Sequence, residues 1–325
     1  MKEQKPGKYW DRAWSLVEGC MKIDKECENC WSEEQASIRV RQLNPKIRER
    51  YVNVLTRGKF NGSVNLMWND LYKPTPGQSP AVWSIWNDLF HHRVPFEFQY
   101  KAIERIHLCQ QHTFIACTKR PHNAIEVMDK ALFHLKRNYP DAVTPLPNLV
   151  GMTTAGYQSA ANARIPELLR ADFALRAVSM EPMLGPINLD SICVTISEGE
   201  VRPWCDLDVI ILGGETGRHA RPLHPDWARG VRDQCERAGV PFYFKKWGEW
   251  YPVTRNVEAR IRHKEDPEWH IWPDQGEESP VSLKVPRGTT ERLLDGVEHN
   301  ALPWREKDNS QYMLDIAEPV GTDLA

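Results

Sequence analysis

LDVIILGGE, residues 207–215, places four apolar side chains in a row and ends on two glycines and a glutamate. A short, continuous apolar run bounded by glycine predicts a strand that is buried on both faces. Strands of that kind belong to parallel sheets covered by helices, so this stretch predicts an α/β fold.

The same pattern recurs on both sides of this stretch, where short apolar runs alternate with helical periodicity. Further strands are predicted at 13–17, 81–88, 113–119, 149–154, 174–182 and 241–250, with an edge strand or hairpin at 64–70. Helices are predicted at 32–50 as far as Pro45, after Pro95, from Pro121 to about Tyr139, near 159–170 and at 226–239. Six or seven βα units predict a full or partial (β/α) TIM-type barrel, with a doubly wound open sheet as the alternative.

Two of the helices carry recognisable end signals. Ser32, with Gln35 three residues later, predicts a capping box at the start of the first helix. Asp226 predicts the N-cap of the last helix, and Gly239 predicts the point where that helix stops.

The alternation of strands and helices ends near residue 252. We therefore predict a barrel over residues 1–251 and a C-terminal extension over 252–325 that packs on the barrel. The last residues are polar and are expected to be loosely held.

The composition is that of a soluble globular protein, with 41% hydrophobic and 26% charged residues among 325 and a net charge of −2. No apolar run approaches the roughly 20 residues that a membrane-spanning helix needs, and the N-terminus has no hydrophobic signal core. A cytoplasmic protein without a membrane partner is therefore expected. A nucleic-acid partner stays open, because a local basic patch can lie within a neutral total.

Three of the eight cysteines, Cys20, Cys27 and Cys30, are clustered as C-x6-C-x2-C. In a reducing compartment such a cluster indicates a metal site rather than disulfides. Two chemistries fit the residues: a structural zinc with a distant fourth ligand, or a cubane iron–sulfur cluster with one open iron. The position of the loop, directly after the first strand, favours the cluster. The remaining cysteines stand singly and are predicted to be buried, reduced thiols: Cys109, Cys117, Cys193, Cys205 and Cys235.

Polar or charged residues follow nearly every predicted strand. A barrel gathers the C-terminal ends of its strands at one face, which is where barrel enzymes place their active sites. Each of these residues also has an ordinary structural ion pair or loop position as its alternative. Besides the cysteines, the candidates are Asn87, Asp88, Lys119, Arg120, Glu181, Gly213, Gly214, Glu215, Lys245 and Lys246.

The chain resembles the phage Gp37/Gp68 family, three-cysteine-motif proteins of the DUF5131 type that look like a branch of the radical SAM superfamily. The segments that carry the resemblance occur in order over about residues 10–305. They are WSLVEGCMKIDKECENCW (14–31), NDLFHHRVP (87–95), QHTFIACTKRP (111–121), LPNLVGMTTAGYQSA (146–160), RIPELLR (164–170), VSMEPMLGPI (178–187), VIILGGETGRHARPLHPDW (209–227), VPFYFKKWGEW (240–250) and RLLDGVEHNALP (292–303).

The resemblance implies a [4Fe–4S] cluster on the three clustered cysteines, with S-adenosylmethionine bound to the open iron. One-electron cleavage would give a 5′-deoxyadenosyl radical that abstracts hydrogen from the substrate. Cofactor contacts are expected from Asn87, Asp88, Lys119, Arg120, Gly213, Gly214 and Glu215. Glu181 and Lys245 are expected to act near the substrate as catalytic side chains.

This sequence departs from the family pattern at three places. Trp31 follows the third cysteine where relatives have tyrosine, and Trp86 and Asn87 stand where relatives tend to have small residues before Asp88. Residues 153–155 read Thr-Thr-Ala where relatives often have a Ser-Val-Glu-like run. These differences are expected to change the shape of the pocket around SAM and substrate.

The expected substrate is a modified nucleobase in phage DNA, by analogy with relatives that look like enzymes of thymine hypermodification. The reaction would be a radical rearrangement or isomerisation in the host cytoplasm, with a flavodoxin or ferredoxin as electron donor. A zinc-stapled DNA-binding or repair-accessory protein without SAM chemistry is the alternative. A redox protein that uses its cluster only for electron transfer is a third reading, and the missing fourth cysteine argues against it.

Overall fold

A seven-stranded, all-parallel sheet forms the centre of the protein. The structure is a computed structural model that describes residues 7–197, 199–253, 268–272, 280–286 and 291–305. The strands are β1 (Arg12–Trp14), β2 (Val82–Ile85), β3 (Thr113–Thr118), β4 (Leu149–Thr154), β5 (Leu175–Met180), β6 (Val209–Gly213) and β7 (Phe242–Lys246). Each strand pairs in parallel with the next one along the chain.

Strand order in space follows strand order in the sequence, with β1 and β7 as the two edges. Over the described residues the sheet is a curled half-barrel, which confirms the α/β class and the partial form of the barrel, not a full TIM barrel. The doubly wound alternative is wrong, because that topology reverses its strand order at a switch point.

The larger helices connect successive strands and cover one face of the sheet. The helices are α1 (Trp31–Arg39), α2 (Pro45–Arg48), α3 (Phe96–Leu108), α4 (Pro121–Asn138), α5 (Gln158–Arg170) and α6 (Pro225–Ala238). Buried residues of α3 to α6 pack with alternate residues of the strands into one large core. None of the helices described here combines the length and the apolar character that crossing a bilayer requires.

The opposite, concave face of the sheet has a core of its own. It contains the other alternate strand residues, among them Ile115, Ile211 and Tyr243. Residues from near the start and from near the end of the described chain pack against this face: Tyr9 and Trp304. The indole Nε1 of Trp304 donates to the carbonyl of Tyr9 at 3.0 Å. These long-range contacts fill the part of the concave face that lies away from the C-terminal ends of the strands.

Short elements surround the main sheet. Antiparallel pairs join Val17–Glu18 to Asn65–Leu66, Leu55–Thr56 to Lys59–Phe60, Cys193–Ser197 to Glu200–Pro203, and Leu293–Leu294 to Val297–Glu298. Trp250–Val253, Val281–Lys284 and Trp269–Ile271 form a small antiparallel sheet. Single 3₁₀ turns occur at Lys25–Cys27, Glu49–Tyr51, Trp68–Tyr72 and Trp204–Asp206. Of the edge strand or hairpin predicted at 64–70, only Asn65–Leu66 is a strand, and the rest runs into the 3₁₀ turn at Trp68–Tyr72.

Both predicted N-caps are wrong. Helix α1 begins one residue earlier, at Trp31 with Cys30 as its N-cap, and Ser32 donates instead to Asn87 Oδ1 at 2.6 Å. The N-cap of α6 is His224, whose Nδ1 accepts from the backbone N–H of Asp226. The stop at Gly239 is confirmed, since that glycine takes the left-handed conformation with φ 70°.

Two further predictions need correction. The first helix does not run to Pro45 but ends at Arg39, and Pro45 begins the separate helix α2. Of the five single cysteines, Cys109 and Cys235 are buried as predicted and Cys117 is only half-buried. Cys193 and Cys205 are exposed, because they lie in the hairpin and 3₁₀ turn outside the main sheet.

The C-terminal residues that the structure describes contact the half-barrel directly. Asn300 forms an isolated antiparallel β-bridge with Tyr243 of β7. The guanidinium of Arg305 donates to the carboxylate of Asp11, beside β1, at 2.8 Å. The division at residue 252 stays a prediction. The predicted loose tail lies outside the described residues.

Candidate active site

The loop that carries the three cysteines lies across the C-terminal ends of the parallel strands. It spans residues 19–30, between Val17–Glu18 and α1. Its backbone and side chains contact residues that follow β3, β4 and β6: Arg120 donates to the carbonyl of Met21 at 3.0 Å, Glu26 accepts from the N–H of Gly156, and Asn29 donates to Glu215 at 3.1 Å. The loop therefore covers the edge where a parallel half-barrel presents its functional side chains.

The three cysteines are free thiols of intermediate exposure, all on the loop of residues 19–30. Burial, reinforced by the charge of Asp88, raises the pKa of Cys20 to about 11, and Cys30 contributes to that rise. Burial also raises the pKa of Cys30, with a contribution from Cys27. A thiolate at Cys30 opposes ionisation of Cys20, and a thiolate at Cys27 opposes ionisation of Cys30, because like charges repel.

As the side chains stand, no three His, Cys, Asp or Glu side chains among the described residues surround one point closely enough to hold a metal ion. A single zinc ion needs all its donors around one centre, whereas the ligands of a cubane bind separate irons. Three neighbouring free thiols on one loop supply the donor chemistry of a [4Fe–4S] cluster. The set matches such a cluster in donor type, and the cluster itself stays a prediction.

The buried carboxylate of Glu26 ties the cysteine loop to the barrel. Its Oε2 accepts from Arg164 Nη1 of α5 at 2.6 Å, and its side chain is 0% exposed. Arg164 also pairs with Asp24 of the same loop and donates to the carbonyl of Thr154 at 2.8 Å. Lys119 Nζ lies 3.4 Å from Glu26 Oε2 and 3.5 Å from the adjacent Cys27 Sγ. One arginine and one lysine thus fix the segment between the first and second cysteines.

Asp88 and Arg120, two of the predicted cofactor contacts, form a buried ion pair at 2.6 Å. The other carboxylate oxygen of Asp88 accepts from Thr118 Oγ1 at 2.6 Å and from the N–H of Phe90 at 3.0 Å. The guanidinium of Arg120 continues to the carbonyl of Met21. This pair links the ends of β2 and β3 to the cysteine loop, and its contact with SAM stays a prediction.

Asn87 connects the end of β2 to the base of the cysteine loop. It has a left-handed backbone (φ 58°) and donates to the carbonyl of Val17 at 2.7 Å. The neighbouring Trp86 packs edge-on against Trp31 and Trp10, at centroid distances of 4.8 and 5.5 Å. Trp31 is 45% exposed, so the residue after the third cysteine presents an aromatic surface at the rim of the site.

Glu215 holds the loop after β6 rather than pointing at open space. Its carboxylate accepts from the backbone N–H and the guanidinium of Arg221, at 2.7 to 2.8 Å, and from Asn29 of the cysteine loop. The carboxylate of Glu215 therefore links the residue before Cys30 to the loop after β6.

Gly213 lies beside Glu181, because a Cβ built on it would be 3.4 Å from Glu181 Cγ.

Gly214 is close to the chain's own backbone. A Cβ built there would be 1.8 Å from the carbonyl oxygen of Trp247 and 2.5 Å from its carbon. The space beside Gly214, an expected cofactor contact, is occupied in the structure by the backbone of the loop after β7. A contact between Gly214 and a cofactor stays a prediction.

Replacing Gly214 with alanine is expected to lower the free energy of unfolding by at least about 1–3 kcal/mol, because the new methyl group displaces the backbone at Trp247. Gly230 in α6 is the matched control, since nothing lies within 4 Å of a Cβ built on it. Gly230→Ala should raise stability by about 0.5–1 kcal/mol. Urea denaturation of both variants measures the difference, and equal effects would contradict the close approach at Gly214.

Glu181 and Lys245, the two predicted catalytic residues, form an ion pair of 2.5 Å at the ends of β5 and β7. The second oxygen of Glu181, Oε1, is buried and has no hydrogen-bond partner. Lys245 Nζ also lies 5.2 Å from the ring centre of Tyr9. The structure therefore brings the pair together on the concave face, with an acceptor available beside it.

The sequence did not single out Glu26, Arg164, Tyr9 or Tyr243. Glu26 and Arg164 are 138 positions apart, so no local spacing connects them. The available signal was a glutamate between two clustered cysteines and an arginine at the start of RIPELLR. Tyr243 follows the period-two pattern of core residues in its strand, and Tyr9 precedes the first strand; neither gives a functional signal.

Comparison with known proteins identifies the family but not an activity. The model of a family described as "Protein of unknown function (DUF5131)" matches residues 6–303. No curated protein and no solved structure matches the chain. The match covers nearly the whole chain, including the cysteine loop and all seven strands. The chain therefore belongs to the DUF5131 family.

Proposed function

We propose that this protein is a radical SAM enzyme in which Cys20, Cys27 and Cys30 hold a [4Fe–4S] cluster. The observation that carries the proposal is the position of the cysteine loop, which lies across the C-terminal ends of an open parallel half-barrel. A bound, reduced cluster of this kind cleaves S-adenosylmethionine and so supplies a 5′-deoxyadenosyl radical for hydrogen abstraction. Three thiols on one loop leave one cluster position for SAM.

The protein's contribution in this proposal is to position the loop and shape the pocket. Glu26 with Arg164, and Asp88 with Arg120, fix the loop from two sides. Lys119 places a positive charge beside Cys27, which suits three thiolates and an anionic carboxylate of SAM. Glu181 and Lys245 face the substrate side, where the carboxylate accepts a hydrogen bond or proton and the ammonium donates one.

The proposed substrate is a modified nucleobase in DNA, and the proposed reaction is a radical rearrangement. The exposed face of Trp31 beside Trp86 supports this choice, because aromatic side chains at a rim stack on bases of any sequence. A base in a duplex has to leave the helical stack to reach the half-barrel. A flavodoxin or ferredoxin is the proposed electron donor.

Anaerobic reconstitution tests the metal part of the proposal. The protein is treated with iron and sulfide, desalted, and analysed for iron, sulfide and zinc. We expect about four irons and four sulfides per chain, as a cubane requires. One tightly held zinc with no iron uptake would contradict the proposal and favour a structural site.

A further inference from the structure

The edge strand β7 contains a β-bulge at Lys245. Regular pairing between β6 and β7 runs up to Leu212 with Phe244. The next pair is Gly213 with Lys246, so Lys245 is an extra residue in its strand. A bulge bends its strand, redirects a side chain and is common beside active sites. The irregularity in β7 therefore falls on a residue of the candidate site.

One side chain, Arg292, holds the backbone at this bulge. Its Nε donates to the carbonyl of Lys245 at 3.2 Å, and its Nη2 donates to the carbonyl of Phe244, also at 3.2 Å. Successive carbonyls of a regular strand point to opposite sides, so a single partner for both requires the bulge. Nη2 also donates to Asn300 Oδ1 at 2.5 Å, and the Arg292 side chain is only 14% exposed. The bulged carbonyl is thus paired with a fixed guanidinium.

Residues 291–305, the C-terminal segment, are themselves attached to β7 on both sides of the bulge. Before it, the N–H of Phe244 donates to the carbonyl of His299 at 3.0 Å. After it, the indole Nε1 of Trp247 donates to the carbonyl of Leu293 at 2.9 Å. These contacts give Arg292 a defined position relative to the strand.

The amine of Lys245 reaches Glu181 across an intervening strand. Glu181 follows β5 and Lys245 belongs to β7, so β6 lies between them. The β6 residue at this level is Gly213, and a Cβ built on it would be 3.5 Å from Glu181 Oε2. Lys245 Nζ lies 2.5 Å from the same oxygen. The contact therefore depends on the direction that the bulge gives to the Lys245 side chain.

From this geometry we infer that Arg292 is a positioning residue that fixes the bulge in β7 and so directs Lys245 at Glu181. Arg292 acts through the backbone of Lys245. The inference rests on the proposed function for the chemical role of the Glu181–Lys245 pair, whereas the geometry itself requires no cluster. It makes the C-terminal segment part of the candidate site.

Acetylation of the full-length protein without cluster tests the inference, with peptide mass spectrometry to follow each lysine. Arg292→Met should raise the acetylation rate of Lys245 about two- to tenfold, the range that one lost hydrogen bond gives, because the amine is no longer held at Glu181. Lys119, 19% exposed, and Lys130, 58% exposed, should react at unchanged rates. Arg292→Lys should restore part of the protection, because an ammonium can donate to one of the two carbonyls.

Arg229→Met is the matched control. Arg229 on α6 holds the same C-terminal segment through an exposed ion pair with Asp295 at 2.7 Å. Its loss should leave the acetylation of Lys245 unchanged. Equal rates at Lys245 in the Arg229 and Arg292 variants would overturn the inference. Faster acetylation of Lys119 in the Arg292 variant would assign the arginine a general structural role and would overturn it as well.

A double-variant cycle separates positioning from general loosening. Glu181→Gln removes the charged partner of Lys245 and should raise its acetylation rate. Arg292→Met added to that variant should raise the rate little further, because both changes act on the same contact. Independent, multiplying effects would contradict the positioning role.

A second variant covers the case in which Arg292→Met does not fold. Asn300→Ala removes the Oδ1 that orients the guanidinium and should raise Lys245 acetylation in the same direction, and no change would overturn the inference. Iron uptake separates this inference from the radical SAM proposal. Unchanged Lys245 acetylation in a protein that forms the cluster would overturn the inference alone, and the expected acetylation pattern in a protein that takes up no iron would support it alone.

Discussion

Replacing any one of Cys20, Cys27 and Cys30 with serine is expected to abolish SAM cleavage. A cluster with two protein thiolates cannot be held in the geometry that leaves a single open iron, so both iron content and activity should be lost. The measurement is 5′-deoxyadenosine formed from SAM under dithionite, together with iron per chain. Activity should fall to that of a reaction without protein.

Two other cysteines provide controls for the loss of a thiol as such. Cys193 and Cys205 are exposed and lie outside the main sheet. Serine at either position should leave iron content and SAM cleavage unchanged. Full SAM cleavage in any of the three loop variants would contradict the proposed ligand set.

Replacing Arg164 with methionine is expected to lower the free energy of unfolding by about 3 kcal/mol, since it removes the closest charged partner of the buried Glu26 carboxylate and leaves only Lys119, at 3.4 Å. The Glu26 side chain is 0% exposed, and that of Arg164 is 8% exposed. The same change releases Asp24, so the cysteine loop loses both anchors on α5. Urea denaturation gives the stability, and iron uptake reports on the loop.

Arg170→Met is the matched control on the same helix. Arg170 pairs with Glu167 at 2.7 Å, but its side chain is 41% exposed, and exposed pairs contribute at most about 1 kcal/mol. The double variant Glu26→Gln with Arg164→Met should recover part of the loss, because the fully buried side chain at position 26 is then neutral. Equal destabilisation by the Arg164 and Arg170 changes would contradict the anchoring role.

The same anchor gives the stability a defined dependence on pH. Burial alone would raise the pKa of Asp24, but Arg164 and Lys119 outweigh it, so the pKa is lowered in the folded protein. A lowered carboxylate pKa contributes stability that is present above the unfolded value of about 3.9 and is lost as the pH falls through the folded value. The deficit of the Arg164 variant should therefore shrink in acid.

The strands could be predicted from sequence because their signal is local. LVGMTT is a strand over Leu149–Thr154 as expected, and the run at 209–213 forms β6 within its predicted bounds. Continuous apolar runs of this kind fit only a position covered on both faces. The helix bounds of α3 to α6 were likewise close, because their apolar residues repeat with helical spacing.

The extent of the barrel could not be predicted in the same way. Whether a parallel sheet closes depends on what fills its concave face, and Tyr9 and Trp304, which are 295 positions apart, both do so. The prediction of Ser32 as an N-cap was wrong for a related reason. Ser32 has a competing partner in Asn87, which lies 55 positions away. A capping pattern competes with such tertiary hydrogen bonds and does not reveal them.

The candidate site was also predictable only in part. The sequence placed Glu181 and Lys245 near each other because both follow parallel strands, and they form an ion pair in the structure. A structural ion pair was the alternative reading for Asp88 and for Arg120, but the sequence did not show that these two pair with each other. The partners of buried charges are set by packing between elements.

The most direct test of the central claim is an EPR spectrum of the reconstituted, reduced protein, recorded without oxygen and with or without SAM. The account predicts a [4Fe–4S]⁺ signal that changes when SAM is added, because SAM binds the open iron. A cluster signal that SAM leaves unchanged would contradict SAM binding at that iron, and no cluster signal at all would contradict the assignment of Cys20, Cys27 and Cys30 as its ligands.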